Sequence, residues 1–156
     1  MEPFINECAC AQSSDILSIV GIAVAVCAFI FPLFFNWRYR QRDKMDDLTN
    51  RLDTIINLGI EHPYLEDYNF TSKWNEFKSS GDEKYLRYDN YCNILYNYLH
   101  SVCEHYNYNK DKIEKYIEIK SWIRKHKDNW ENPIEPFENV DGYDKKFRDL
   151  INSYLK

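Results

Sequence analysis

The strongest candidate for chemistry in this sequence is a basic tract that also carries aromatic rings. Residues 120–127 contain four cations and no acid, and a further tryptophan follows one helical turn later. The candidate ligand-binding residues in this tract are Lys120, Trp122, Arg124, Lys125, His126, Lys127 and Trp130. Phosphates need positive charge and bases stack on flat rings, so the composition indicates a site for an anionic ligand that carries bases. A solvated basic face over an aromatic core would have the same composition.

A smaller mixed cluster lies upstream and consists of Tyr85, Arg87, Tyr88 and Tyr91. It adds Arg87 and Tyr88 to the candidate ligand-binding residues. The charge of the whole chain restricts the ligand, because 25 acidic residues against 20 Lys and Arg leave a net charge of −5. An acidic protein repels an extended polyanion, so no duplex nucleic acid is expected as a partner. A small, compact nucleotide is compatible with this charge.

Enzymatic and metal-binding patterns are missing from the sequence. His100 and His105 are five residues apart, which does not match the i, i+4 spacing of a helical zinc pair. The four glycines, at positions 21, 59, 81 and 142, fit neither a GxGxxG nor a GxxxxGK(S/T) phosphate loop. No serine stands in the sequence context of a nucleophile elbow. We therefore expect no enzyme activity, no catalytic residues, no metal and no cofactor.

A long apolar segment near the N-terminus determines where the rest of the chain lies relative to a membrane. Residues 16–35 read ILSIVGIAVAVCAFIFPLFF, and a helix of that length spans about 30 Å, the thickness of a bilayer hydrocarbon core. A cleaved signal peptide would need a basic start and a shorter apolar run, whereas residues 1–15 hold three acids and no Lys or Arg. Four bases follow within residues 38–44, so the positive-inside rule predicts a single pass with an external tail over 1–15 and a cytoplasmic domain.

Small residues recur along one stripe of the span, namely Ser18, Gly21, Ala25 and Ala28. In lipid, such stripes mark where helix backbones approach closely, so we expect a homo-oligomer interface here. Ordinary membrane composition is the alternative explanation.

The rest of the chain has helical periodicity. With only 4 Gly and 5 Pro, we expect a mainly α fold: a basic stop with a juxtamembrane amphipathic helix over 36–61, then a compact helical domain of four to five helices over 62–156. The juxtamembrane helix should end near Gly59. Later helices are predicted at about 83–106, 111–130 and 143–155. A short helix containing Trp74 and Phe77 should be capped by Thr71 or Ser72, and Ser80 with Glu83 forms a predicted capping box.

The five cysteines do not indicate a disulfide framework in a cytoplasmic domain. Cys92 and Cys103 have apolar neighbours and are predicted to be buried free thiols. Cys8 and Cys10 fall on the predicted outer side, where oxidation or cross-linking between subunits is chemically possible.

Four tracts follow the single span and its basic stop: NLGIEHPYLEDYNF (57–70), YCNILYNYL (91–99), KSWIRKHKDNW (120–130) and DGYDKKF (141–147). This layout resembles a group of small single-pass bacterial membrane proteins of antiphage defence, which includes a type III CRISPR membrane effector gated by cyclic tetra-adenylate. The resemblance implies a bacterial inner-membrane location and a cytosolic sensor domain for a cyclic oligoadenylate, with cyclic tetra-adenylate as activating ligand. It also implies that binding makes the spans damage the membrane. It carries over no binding residues, so the candidate site rests on charge and aromatic character.

The function expected from these features is a non-enzymatic, membrane-anchored defence effector. It would bind a cyclic oligonucleotide through its cytosolic domain, associate with copies of itself and perturb the membrane lipid. Two other functions are compatible with the sequence. One is a membrane-tethered helical adaptor that binds a protein partner, and the other is a small pore-forming toxin that needs no ligand.

Overall fold

The computed structural model describes residues 6–135 and 141–156, with side chains described from residue 19 onward. The mainly α fold is confirmed, because none of these described residues belongs to a β-strand. The expectations for residues 1–5 of the tail lie outside the described residues, and those for Cys8, Cys10 and Ser18 concern side chains outside them.

The first helix, α1, runs from Asn6 to Glu61 and contains Pro32. Its apolar part is long and apolar enough to cross a membrane. Contacts divide the chain into two units, one ending at Asp46 and one covering Asp47–Lys156. In the first unit the large apolar side chains of the span are exposed, with Phe29 76% exposed. An exposed apolar surface of this kind would be stable in contact with lipid.

The second unit begins with the last four turns of α1 and continues with short and long helices. A 3₁₀ turn covers Pro63–Glu66. The α-helices that follow are α2 (Tyr68–Thr71), α3 (Trp74–Phe77), α4 (Glu83–His105), α5 (Lys110–Tyr116), α6 (Ile119–Lys125), α7 (Lys127–Glu131) and α8 (Lys145–Leu155). On α1 the predicted amphipathic pattern is confirmed, since Leu48 and Ile55 are buried. The helix ends two residues beyond Gly59.

Helix α4 lies in the core and matches its predicted span, but its predicted capping box is wrong. The N-cap is Asp82, whose Oδ1 accepts a hydrogen bond from the backbone N–H of Lys84 at 2.8 Å. Ser80 Oγ instead accepts from the N–H of Asp82 at 3.2 Å. A box starting at Ser80 would place Gly81 in the first helical turn, and Gly81 has a φ of +74°. That left-handed backbone cannot belong to an α-helix.

The single helix predicted over 111–130 is also wrong, because α5, α6 and α7 share this segment. Ile117 adopts an extended backbone (φ −142°, ψ 155°) and His126 leaves the helical region (φ −103°, ψ 18°). At the second break, the Tyr96 hydroxyl of α4 donates to the carbonyl oxygen of His126 at 2.8 Å. Seven α-helices therefore follow α1 within residues 62–135 and 141–156, more than the four or five expected.

The shorter elements differ from expectation mainly at their starts. Helix α3 contains Trp74 and Phe77 as predicted, but it follows Lys73 without a side-chain cap, and Thr71 belongs to α2. Helix α8 begins at Lys145, capped by Asp144, two residues after the predicted start. The two cysteines of the second unit, Cys92 and Cys103, are buried free thiols, which confirms that prediction.

Candidate functional site

The structure does not place the predicted ligand-binding residues on one surface. Three of them are core side chains: Tyr88 and His126 are 0% exposed and Trp130 is 2% exposed. The Tyr88 hydroxyl lies 3.0 Å from His126 Nδ1, and Trp130 Nε1 donates to Asn152 Oδ1 at 3.1 Å. None of these rings offers a face to a ligand, so their assignment as stacking residues is corrected to core packing.

The remaining residues of the basic tract divide between two faces of α6. In an α-helix, residues three or four apart share a face and residues two apart do not. Lys120 and Arg124 therefore lie together, with Arg124 Nε donating to the carbonyl oxygen of Tyr154 on α8 at 3.3 Å. Trp122 and Lys125 lie together on the opposite side of the helix. The structure thus separates cations that the sequence presents as one cluster.

Several of the predicted cations already have an acidic partner. Lys127 Nζ lies 3.6 Å from Glu131 Oε2, and Arg87 pairs with Glu83 at 2.6 Å. Arg87 also donates to the Tyr64 hydroxyl at 3.3 Å. Within the part of the chain that the structure describes, Lys120 and Arg124 have no carboxylate within ion-pair distance.

Glu66 is the centre of a polar network that sequence reasoning missed. It ends the 3₁₀ turn directly after α1, and its Oε2 accepts a hydrogen bond from Lys125 Nζ at 2.5 Å. Its Oε1 accepts from the Tyr91 hydroxyl and lies 3.4 Å from His126 Nε2. A His126 protonated on Nε2 would donate to Glu66 and accept from Tyr88 on Nδ1, so one tautomer satisfies both contacts. Nothing in the sequence links Glu66 to Lys125, 59 residues away.

This network decides the charge state of its members. Burial alone raises the pKa of Glu66, but its hydrogen bonds with His126, Lys125 and Tyr91 outweigh burial and lower the pKa to about 2. Burial lowers the pKa of His126, and it raises the pKa of Tyr91 together with the hydrogen bond to Glu66. At neutral pH the site therefore holds an ionised Glu66 bonded to a cationic Lys125, beside a neutral His126.

Two cavities lie between α1 and α4, on the side of α6 that carries Trp122. The first, here called the Trp122 cavity, has a volume of about 280 Å³ and is lined by Ile55, Ile56, Gly59, Ile60, Glu66, Tyr91 and Trp122. The second, here called the Arg51 cavity, has a volume of about 240 Å³ and is lined by Arg51, Thr54, Ile94, Asn97 and Tyr98. The rings of Tyr98 and Trp122 pack edge to face with centroids 6.3 Å apart, so the two linings adjoin.

His100, Glu104 and Asp144 form a group whose ligand atoms all lie within 4.8 Å of one another. Asp144 caps α8, since its Oδ1 accepts from the N–H of Phe147 at 2.8 Å, and its Oδ2 accepts from the Tyr108 hydroxyl at the same distance. The same Oδ2 lies 3.3 Å from His100 Nε2. A helix cap on Oδ1 and side-chain hydrogen bonds on Oδ2 explain these contacts without a metal, and the expectation of no metal stays a prediction.

The arrangement beside Trp122 has the features of a small-ligand site. It combines isoleucine walls, one tryptophan face and the ionised carboxylate of Glu66, which is paired with Lys125 behind the lining residues, with a guanidinium in the adjoining cavity. Apolar walls with a few placed polar groups are typical of small-ligand sites. Comparison of the chain with protein-family models, curated proteins and solved structures found no match.

Proposed function

We propose that this chain is a membrane-anchored defence effector whose helical unit binds a cyclic oligoadenylate and thereby perturbs the bacterial inner membrane. The observation that carries the proposal is that Trp122, from the predicted binding tract, lines a cavity together with Ile55, Ile56, Gly59 and Ile60 of α1. The same helix contains the apolar span. A ligand bound beside Trp122 would thus contact the element that continues into the membrane.

The coupling between binding and membrane follows from ordinary linkage. A ligand changes a conformational equilibrium only by as much as it prefers one state over the other. A ring bound between Trp122 and the isoleucines of α1 stabilises the conformation in which those side chains line one cavity. The equilibrium between this conformation and any other arrangement of α1 and α6 would therefore depend on the ligand concentration.

The binding proposal predicts a salt-dependent interaction of the full-length protein with at least one cyclic oligoadenylate. Calorimetry in lipid nanodiscs, with cyclic and linear oligoadenylates and cyclic dinucleotides, measures it. Each phosphate contact that is lost should lower the slope of log K against log salt by about one unit or slightly less. Arg51 is exposed and lines the second cavity, so Arg51→Gln should lower this slope. Lys112→Gln, an exposed lysine of α5 that lines neither cavity, should leave it unchanged and is the control.

If no oligonucleotide in the panel binds at low salt, the sensor function is wrong. The proposal also requires ligand-dependent leakage of vesicles that contain the protein, and ligand binding without leakage would remove the membrane-perturbing part.

For orientation, we propose a single pass with the N-terminus outside and the helical unit in the cytoplasm, because the bases at 38–44 follow the span. Native Cys92 and Cys103 are poor reporters, since both are buried and burial raises the pKa of each thiol. Ser79, exposed in the turn between α3 and α4, is a better position.

In spheroplasts, an impermeant maleimide should label the wild type through Cys8 or Cys10. The variant Cys8→Ser/Cys10→Ser/Ser79→Cys should be labelled only after lysis. Labelling of this variant in intact spheroplasts would reverse the proposed orientation.

We also propose that copies associate through the stripe Ser18, Gly21, Ala25 and Ala28. Along the described part of the stripe Gly21, Ala25 and Ala28 are exposed, and a Cβ built on Gly21 would meet no atom within 4 Å. The helix surface is therefore open for close approach by a second backbone.

A helical adaptor is the second candidate function, and one observation favours it. Large apolar side chains stand exposed on the helical unit, among them Ile56 (45%), Ile60 (70%), Leu86 (48%) and Ile94 (42%). Ile56 and Ile60 are one helical turn apart and share a face of α1, and adjacent exposed apolar residues of this kind are typical of protein interaction surfaces. The oligonucleotide panel separates the two candidates, because an adaptor binds none of its members.

A further inference from the structure

We propose that the Trp122 cavity is a slot for one flat heteroaromatic ring, with the Glu66–Lys125 pair binding the polar edge of that ring. This inference rests on the proposed function and assigns the ligand's base to a defined place. It also reassigns Lys125, which was predicted to contact a phosphate, to the recognition of the base.

The size and walls of the cavity favour a single ring. Pockets for drug-sized ligands measure roughly 300–1,000 Å³, and this cavity measures about 280 Å³, so a base fits better than a whole nucleotide. Its walls are Ile55, Ile56 and Ile60 on one side and the Trp122 ring on another. Tryptophan beside aliphatic side chains is a surface on which bases stack.

The carboxylate in the cavity lining, Glu66, is already paired with Lys125, which argues against a phosphate at this position. Glu66 is ionised and bonded to Lys125 at 2.5 Å, so the carboxylate would repel a phosphate that approached the lysine. Glu66 instead presents an acceptor in the cavity lining, and the Lys125 ammonium, a donor, is bonded to the same carboxylate. An adenine edge offers the complement, since the N6 amino group donates beside the N7 acceptor.

Glu66 has capacity for this contact. A carboxylate has about four lone-pair positions, and Tyr91, Lys125 and His126 occupy three of them. The Glu66 side chain is 25% exposed and lines the cavity, so the remaining position is within reach of a bound ring.

In a nucleotide whose base lies in this cavity, the phosphates, which are attached to the ribose, would lie in the direction of Arg51. Arg51 lines the adjoining cavity, and the ion pair it forms among the described residues is an exposed one with Asp47, at 2.9 Å. Surface pairs of this kind contribute little, so the guanidinium is available to an anion. Lys120 and Arg124, on the opposite face of α6, are not required.

Adenosine, which carries no phosphate, is the probe that tests the slot separately from the anion site. Equilibrium dialysis against the full-length protein in detergent should detect binding that changes little with salt. Trp122→Leu should weaken it about tenfold, the loss expected from one stacking contact. Purine riboside, which lacks the amino group, should bind about tenfold more weakly because Glu66 loses its donor.

Position 59 gives a matched pair of variants for blocking the slot. A Cβ on Gly59 would lie 3.5 Å from Glu66 Cγ, an ordinary contact, so Gly59→Ala should fold and bind adenosine. Gly59→Leu extends into the cavity and should abolish binding, with the circular dichroism melt confirming that it folds. If Gly59→Leu does not fold, the Trp122→Leu result decides.

Three results would overturn the proposal: no adenosine binding, equal binding by Gly59→Ala and a folded Gly59→Leu, or an unchanged affinity in Trp122→Leu. Equal affinity for purine riboside would overturn the role of the Glu66–Lys125 pair. A protein that binds cyclic oligoadenylate but not adenosine keeps the proposed function and loses the slot. The reverse result keeps the slot and loses the proposed function.

Discussion

Replacing Trp130 by alanine is expected to destabilise the helical unit by about 3–5 kcal/mol, the usual cost of removing a buried tryptophan. The Trp130 side chain packs against the rings of Tyr96, Tyr143 and Phe147, with centroids 4.9–5.9 Å away. The substitution would also leave Asn152 Oδ1 without the indole N–H that it accepts from. Urea unfolding of the full-length protein in micelles, followed by near-ultraviolet circular dichroism, measures the change.

Trp122→Ala is the matched control, since both tryptophans belong to the same basic and aromatic tract. Trp122 is only half-buried, so its loss should cost about 1–2 kcal/mol. Equal destabilisation by the two substitutions would contradict the assignment of Trp130 to the core and Trp122 to a cavity wall. A Trp130→Ala variant with unchanged stability would return Trp130 to the candidate ligand contacts.

Glu66→Gln should lower the free energy of unfolding by about 2–3 kcal/mol at pH 7, because Lys125 and the buried His126 lose their anionic partner. The pKa of Glu66 is about 2 in the folded chain, against an ordinary value of 4.5. The unfolded chain therefore takes up the proton first as the pH falls. The stabilisation is complete above about pH 4.5 and is lost between 4.5 and 2.

The measurement is the difference in unfolding free energy between wild type and Glu66→Gln at several pH values from 7 to 2.5. This difference should shrink as the pH falls below 4.5. Asp144, whose pKa is lowered to about 2 by hydrogen bonds from the Phe147 N–H and the Tyr108 hydroxyl, titrates in both proteins and cancels. Glu61→Gln, an exposed glutamate at the end of α1, removes the same charge and should have little effect at any pH. A difference that stays constant down to pH 2.5 would show that the ion pair is not its cause.

Local periodicity was enough to predict the elements that depend on neighbours in the chain. The apolar run at 16–35 follows from its length and lack of charge. The buried positions of Leu48 and Ile55 and the extent of α4 follow from spacings of three and four residues. The failures lie where the backbone departs from regular geometry. Gly81 with a positive φ moves the cap of α4, and the non-helical backbone of Ile117 and His126 splits the segment 111–130.

The candidate site was predicted only in part, because its residues come from distant positions. Trp122 and Lys125 were predicted from composition, whereas Glu66, Arg51 and the isoleucines of α1 were not. Glu66 and Lys125 are 59 residues apart, and no local sequence pattern predicts a partner at that separation. Composition also could not tell the buried Trp130 from the half-buried Trp122, since both are tryptophans in one basic tract.

By itself, the sequence determined a mainly α chain with one apolar span, a basic flank and free buried thiols, because length, charge and helical period act along the chain. Only the tertiary structure decided that the basic tract has two faces, that Tyr88, His126 and Trp130 are core, and that Glu66 neutralises Lys125. Which face of a helix is buried, and which charges meet, depends on packing between segments far apart in sequence. That packing brings Trp122 and residues of α1 to one cavity, in which we propose that a ligand binds.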